Sequence, residues 1–294
     1  MRRLAKTGQS SQRAQASIII AFLVATVLNG CGLLASKTTA LEKIHESYRI
    51  DFQQSLQQSL PSPSDRPQQP DPKPDQAVFA DTLREIRDYR VRYGENSKEA
   101  AHLQVLEGMI YLQSGQFGMA HLVANDVATA GTNLKSGTGA YTRDQLLAIT
   151  FSDLITGWEE IAKFHNNTPG SQGGDVGKLI AAADSIKAKL DSLDKLKLAQ
   201  PEVDEGAIYL ATNAAIYYVW VYAQCSFQGQ SPTPPCSLPN TKQQWFDKGR
   251  ALIGRYLSAL ELKAATDATA SNVPAGRLRY LSWYGFLARQ ATTH

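Results

Sequence analysis

Cysteine and histidine are scarce in this chain. Only Cys31, Cys225 and Cys236 occur, with His45, His102, His121, His165 and His294. No Cys-x-x-Cys spacing is present to depress a thiol pKa, which excludes the usual dithiol redox centre. No histidines stand as His-x-x-x-His or His-Glu-x-x-His, so a zinc hydrolase has no local signature. His102 and His121 are the two that a helical hairpin would bring near each other, but no carboxylate or cysteine partner is evident, and helix-surface positions are the simpler reading. Nucleophile elbows of the Gly-x-Ser-x-Gly kind and phosphate loops of the Gly-x-x-x-x-Gly-Lys-Ser/Thr kind are missing too. Gly137-Thr138-Gly139 and Gly170 to Gly174 follow no strand and read as turns. Glu159 and Glu160 are adjacent, so on a helix they point about 100° apart and read as a solvated face rather than a paired acid and base. No enzyme class, cofactor or metal is implied.

Strand signals are equally lacking: no alternating apolar run is bounded by hairpin turns. A long apolar run is absent as well. The apolar stretch from Ile18 to Leu28 is 11 residues, against about 20 for a membrane span. Charge of one sign is not in excess either. The chain carries 30 Lys and Arg against 27 Asp and Glu, but Arg2, Arg3, Lys6 and Arg13 all precede residue 30, leaving 26 against 27 beyond it. A near-neutral body has no electrostatic footprint for nucleic acid.

What is present begins with those first residues. A basic start, the short apolar run and then Leu28-Asn29-Gly30-Cys31 follow the order of a secretory leader. With cysteine placed directly after a small residue, this segment resembles a bacterial lipoprotein signal. Asn29 stands where that family more often has Ala, Ser or Thr. The resemblance implies cleavage before Cys31, a diacylglyceryl group on its thiol and an acyl chain such as palmitate on its freed amine. Gly32, where an acidic residue would retain the protein elsewhere, implies the periplasmic face of the outer membrane. An uncleaved anchor or plain secretion is the alternative. In that oxidising setting Cys225 and Cys236 form an even pair flanking Gly229 and three prolines, and we expect a disulfide that pins this loop.

Past Cys31 the chain divides into a lipidated start with an amphipathic helix (31–60), a Pro-rich linker (61–76) and a helical region (77–294). Leu41, Ile44, Tyr48, Phe52, Leu56 and Leu60 recur every three or four residues, giving one apolar stripe. Six prolines then fall between Pro61 and Pro74; each removes a donor and extends its predecessor, so the segment reads as an exposed spacer, with Pro67 and Pro70 in a PxxP pattern. From there helices are expected over Val78–Tyr93, Lys98–Ser114, Phe117–Thr129, Thr142–Phe164, Val176–Leu198, Glu202–Gln224, Lys242–Leu262 and Pro274–Ala291, with a Gly-rich break at 131–139. The class is all-α.

Within this set, Gly108, Tyr111, Gly115, Phe117 and Ala120 sit at the spacings of a tetratricopeptide repeat, which the segment 105–120 resembles. Small Gly108 and Ala120 permit close helix approach, Tyr111 fills the space between, and Gly115 serves the turn. Glu107 departs from the Leu of that family, and Ala124 and Val127 depart from its later positions. Fainter copies lie around Ala207–Tyr222, Phe246–Ala251 and Leu278–Ala288. The resemblance implies a short solenoid or bundle of antiparallel hairpins that acts as an envelope scaffold for another protein. A ligand-binding component of an envelope transport system is the alternative. Tyr217, Tyr218, Trp220 and Tyr222, beside Tyr209, are the candidate partner contacts, because Tyr and Trp give large apolar area with a polar handle. Packing between helices is the competing reading of the same rings.

Overall fold

The computed structural model describes residues 37–51, 79–94, 97–134, 142–165, 173–194, 201–227, 241–258, 261–263, 265 and 275–292. The leader, Cys31, the Pro-rich linker and Cys236 lie outside these residues, as does the second half of the helix expected to end at Leu60. Every regular element among the described residues is helical and none is a strand. The longer ones are α1 (37–51), α2 (Ala80–Tyr93), α3 (Lys98–Gln113), α4 (Phe117–Asn133), α5 (Arg143–His165), α6 (Val176–Asp194), α7 (Pro201–Phe227), α8 (Thr241–Gly254) and α9 (Ala275–Thr292), with a short helical piece at 261–263 and 265 between the last two. No helix among them is long and apolar enough to cross a membrane.

Local chemistry sets the helix starts. Ser97 accepts from the Ala100 amide at the head of α3, and Thr142 and Gln145 exchange side-chain and backbone bonds as a capping box for α5. Asp175 caps α6 by accepting from Gly177 and Lys178. Gly115, at φ 67, makes the tight turn between α3 and α4, a left-handed conformation that a side chain disfavours.

Tertiary contacts then follow a repeating rule. From α3 to α8 each helix packs on the next, while α3 also packs on α5 and α5 on α7. α9 closes the series against α8 and touches α7. Hairpins α3/α4, α5/α6 and α7/α8 are thus stacked so that their first helices form one row. Small residues permit this spacing. A methyl at Gly108 would lie 2.7 Å from Val127 of α4 and 2.9 Å from Phe151 of α5, and one at Gly131 would lie 2.5 Å from Ala148. Gly131 therefore sits inside α4, which continues to Asn133; the expected break comes later because this glycine serves packing and not a turn.

Even-numbered helices are tied by charge. Lys248 of α8 lies 3.7 Å from Asp184 of α6, and Arg255, just past α8, bonds Asp191 at 2.6 Å. The two acids and the two bases are each one heptad apart. α8 ends at Gly254, earlier than the expected Leu262, and a new helical start follows; the Tyr284 ring, 2.9 Å from where a side chain would begin, holds that position to glycine. At that start Ser258 and Glu261 exchange cap bonds.

Glu261 also accepts from Arg277 at 2.8 Å, and the pair is mostly buried. That hydrogen bond, outweighing the opposing effect of burial and helped by Ser258, holds the carboxyl at about 2 against an ordinary 4.5. The depressed folded pKa means that the contribution is full above pH 4.5 and is lost as pH falls toward 2. Arg277→Gln is expected to cost about 2 kcal/mol near neutrality. In urea titrations across pH, the gap between wild type and variant should narrow below pH 4.5. A gap independent of pH would remove the assignment.

Candidate functional site

α7 lies at the centre of the stack, contacting α5, α6, α8 and α9, and its sequence is apolar or small on nearly every side. The aromatic residues expected to bind a partner therefore separate by depth. Tyr217 and Tyr218 are fully buried, which corrects their place among the candidate contacts. The Tyr217 hydroxyl donates to the Leu154 carbonyl at 3.1 Å, and its ring meets Trp158 edge-on at 6.0 Å. Tyr218 donates to Asp184 at 2.6 Å, stacks on Trp245 and lies under the Lys248 ammonium. Burial above all raises both phenol pKa values, with the nearby Asp184 charge adding to the rise at Tyr218. Both rings have their polar ends satisfied inside the protein, so they build the core.

Trp220 and Tyr222 are half-buried. Tyr222 packs on Phe246 of α8 at 5.1 Å, part of a chain of rings that continues through Phe286 to Trp283. Trp220 lies 11 residues, close to three turns, after Tyr209, so the two share a face of α7. Tyr209 is itself half-buried. Next to them on α5 is Trp158, also half-buried, whose indole donates to Asn213 at 2.8 Å. Asn213 donates in turn to the Tyr209 carbonyl at 2.8 Å. Asn213 thereby locks Trp158 of α5 to the backbone of α7 at Tyr209, and Trp220 lies about three turns further along the same face of α7. Trp158 is the member that sequence reasoning missed. Its signal was present at position 158, next to the acid pair that drew attention instead.

The polar candidates also resolve. His102 and His121 do not meet: His102 pairs with Asp144 at 2.6 Å and His121 with Glu159 at 3.0 Å. Both contacts join the α3/α4 hairpin to α5. Glu160, expected to be solvated, is buried. It accepts from the Asp175 amide at 2.7 Å and from Lys163 at 2.9 Å, which fixes the start of α6 against the end of α5. Among the described residues no group of three or more His, Cys, Asp or Glu side chains is placed to hold a metal ion. Cys225, half-buried near the end of α7, is disulfide-bonded; its partner is outside the described residues.

No protein-family model, curated protein or solved structure matches this chain.

Proposed function

We propose that the protein is a non-catalytic adaptor of the bacterial cell envelope, anchored through acylated Cys31 and closed by a Cys225–Cys236 disulfide. Its Trp158, Tyr209 and Trp220 ledge binds a segment of another envelope protein during assembly or export of a surface structure. The observation that carries the reading is the stacking of the first helices of successive hairpins into one row with half-buried aromatic rings along it. Such a row presents a long face that an extended or helical segment can lie against. The leader-like segment that precedes Cys31 supports the address, and the spacing of Gly108, Tyr111, Gly115 and Ala120 supports the repeat-like character.

The test is expression in a bacterial host of wild type, Cys31→Ala and Trp220→Ala, with cross-linking, intact mass and partner retrieval from the membrane fraction. Wild type should carry acyl mass and retrieve one envelope protein. Cys31→Ala should lose the acyl mass and leave the membrane. Trp220→Ala should stay acylated and folded while losing retrieval about tenfold or more, the size of an interface hot spot. Unacylated wild type refutes the anchor, and undiminished retrieval by Trp220→Ala refutes the ledge.

A further inference from the structure

The proline-rich stretch from Pro61 to Pro74 has no part in the adaptor proposed above, yet the chain leaves and re-enters the fold for it at one place. Residues 52–78 are outside the described ones, and their two flanks are held together. Thr82 donates to Asp51 at 2.6 Å, and the Tyr48 and Phe79 rings lie 6.2 Å apart. Tyr48 also donates to Gln113 at 3.4 Å, so this exit is at the end of α3. α3, α5 and α7 run parallel. His102 meets Asp144 and Gly108 faces Phe151 between the first two, while Gly206 faces Arg143 and Tyr217 meets Leu154 between the second two. Gln113 is five residues past Gly108 and Trp158 seven past Phe151, which puts Gln113 and Trp158 within about 3 Å of the same height. Trp158 is therefore about one helix spacing of 8–10 Å from the exit, and α7 about two.

On α7 the half-buried Tyr209 and Trp220 flank Asn213 and Ile216 of the same face, and both of these are buried. Two rings thus stand either side of a lower floor, with Trp158 joined to that floor through Asn213. The Trp220 indole N–H has no acceptor among the described residues. We infer that this face takes a proline-rich segment in polyproline II form, and that its occupant is residues 61–74 of the same chain. It rests on the face being a binding surface, as proposed above. Pyrrolidine rings pack on aromatic side chains, and a polyproline II segment, having no internal hydrogen bonds, leaves its carbonyls free to accept from an indole. Three residues of that helix advance about 9 Å, which is the separation of packed helices. Pro67 and Pro70 accordingly fall on one edge of the segment, one over Trp158 and the other between the α7 rings. The tether is long enough: nine steps of chain from Pro70 to Phe79 span about 30 Å extended, and the stretch from Asp51 to Pro67 is longer.

The experiment uses the full chain with photoreactive benzoylphenylalanine at Gln68, irradiated and mapped by mass spectrometry. Position 68 should cross-link within its own chain to the segment holding Trp158 or the one holding Trp220, and Pro67→Ala with Pro70→Ala should cut that yield severalfold. In a second measurement a labelled peptide of residues 61–74 is titrated against wild type and against a chain whose residues 61–74 are replaced by Gly and Ser at equal length. Urea midpoints show that both are folded. The replaced chain should bind the peptide at least about tenfold more tightly than wild type, because a tethered segment competes at roughly millimolar effective concentration. Trp220→Phe in the replaced chain, which keeps a ring and removes the indole N–H, should weaken peptide binding severalfold. A replaced chain that binds no peptide overturns the docking; if it still retrieves an envelope protein through Trp220, the binding face itself stands. Equal binding by wild type and the replaced chain overturns residues 61–74 as the occupant. Cross-links between two differently tagged copies make a second copy the source of the segment and overturn docking within one chain.

Discussion

Gly157→Ala is expected to destabilise the fold by about 1–3 kcal/mol or more, although glycine to alanine inside a helix ordinarily gains about 1 kcal/mol. The sign follows from what a methyl would meet. At Gly157 in α5 it would lie closer than 3.0 Å to three atoms of the Tyr217 ring. A flexible side chain would swing away at little cost, but this ring has no such freedom. It is fully buried, its hydroxyl is held by the Leu154 carbonyl, and Trp158 packs against its edge. Relief requires α5 and α7 to separate, and that is one of the two contacts, with α6 on α7, by which the second hairpin holds the third. Gly118→Ala is the internal control, since nothing lies within 4 Å of a methyl there; it should be neutral or stabilising by up to about 1 kcal/mol. Urea midpoints of the two variants and wild type read the difference. A double variant with Tyr217→Ala should lose less than the sum of the single losses, because the smaller side chain removes the clash. Additive losses would mean that Gly157 matters for some reason other than the ring.

The same glycine shows how far the sequence could be read. Period, caps and turns were legible: Ser97, the Thr142 and Gln145 box and Gly115 mark helix ends by local chemistry, and local chemistry needs no knowledge of neighbours. Gly131 and Gly157 were ambiguous, since a glycine that breaks a helix and one that admits another helix look alike until the neighbour is placed. Ser258-x-x-Glu261 was a readable start signal that an apolar run through Leu257 and Leu262 concealed. The candidate site was legible only in part. α7 is buried on almost every side, so it carries no stripe from which to tell outward rings from inward ones, and consecutive Tyr217 and Tyr218 both proved to be core. Their hydroxyls gave no help, because a buried tyrosine and an interfacial one each need a partner. Trp158 could be joined to Tyr209 only through Asn213, a contact between residues 55 positions apart that no local pattern encodes.

Glu107 carries the second large effect. A tetratricopeptide-like hairpin would place leucine there, and here a carboxylate stands in the core at 7% exposure. It accepts from Arg90 of α2 at 2.9 Å and from the Tyr111 hydroxyl at 3.1 Å, so the charge that departs from the repeat pattern is the one that draws α2 onto α3. Removing one partner of such a pair leaves an uncompensated buried charge, whereas replacing both with apolar groups does not. Arg90→Ala is therefore expected to cost about 3–5 kcal/mol, enough to consume much of the stability of an ordinary domain. The double variant Arg90→Met with Glu107→Leu should recover to wild-type stability or above it, because leucine restores the apolar contact and methionine keeps the stem of the arginine. Thermal and urea unfolding of the single and double variants decide the matter. Recovery in the double variant shows that the ion pair specifies how α2 docks without adding net stability. A double variant as weak as Arg90→Ala would show instead that the charge pair itself stabilises the docking of α2 on α3, and that the departure from leucine at position 107 is a gain and not a tolerated cost.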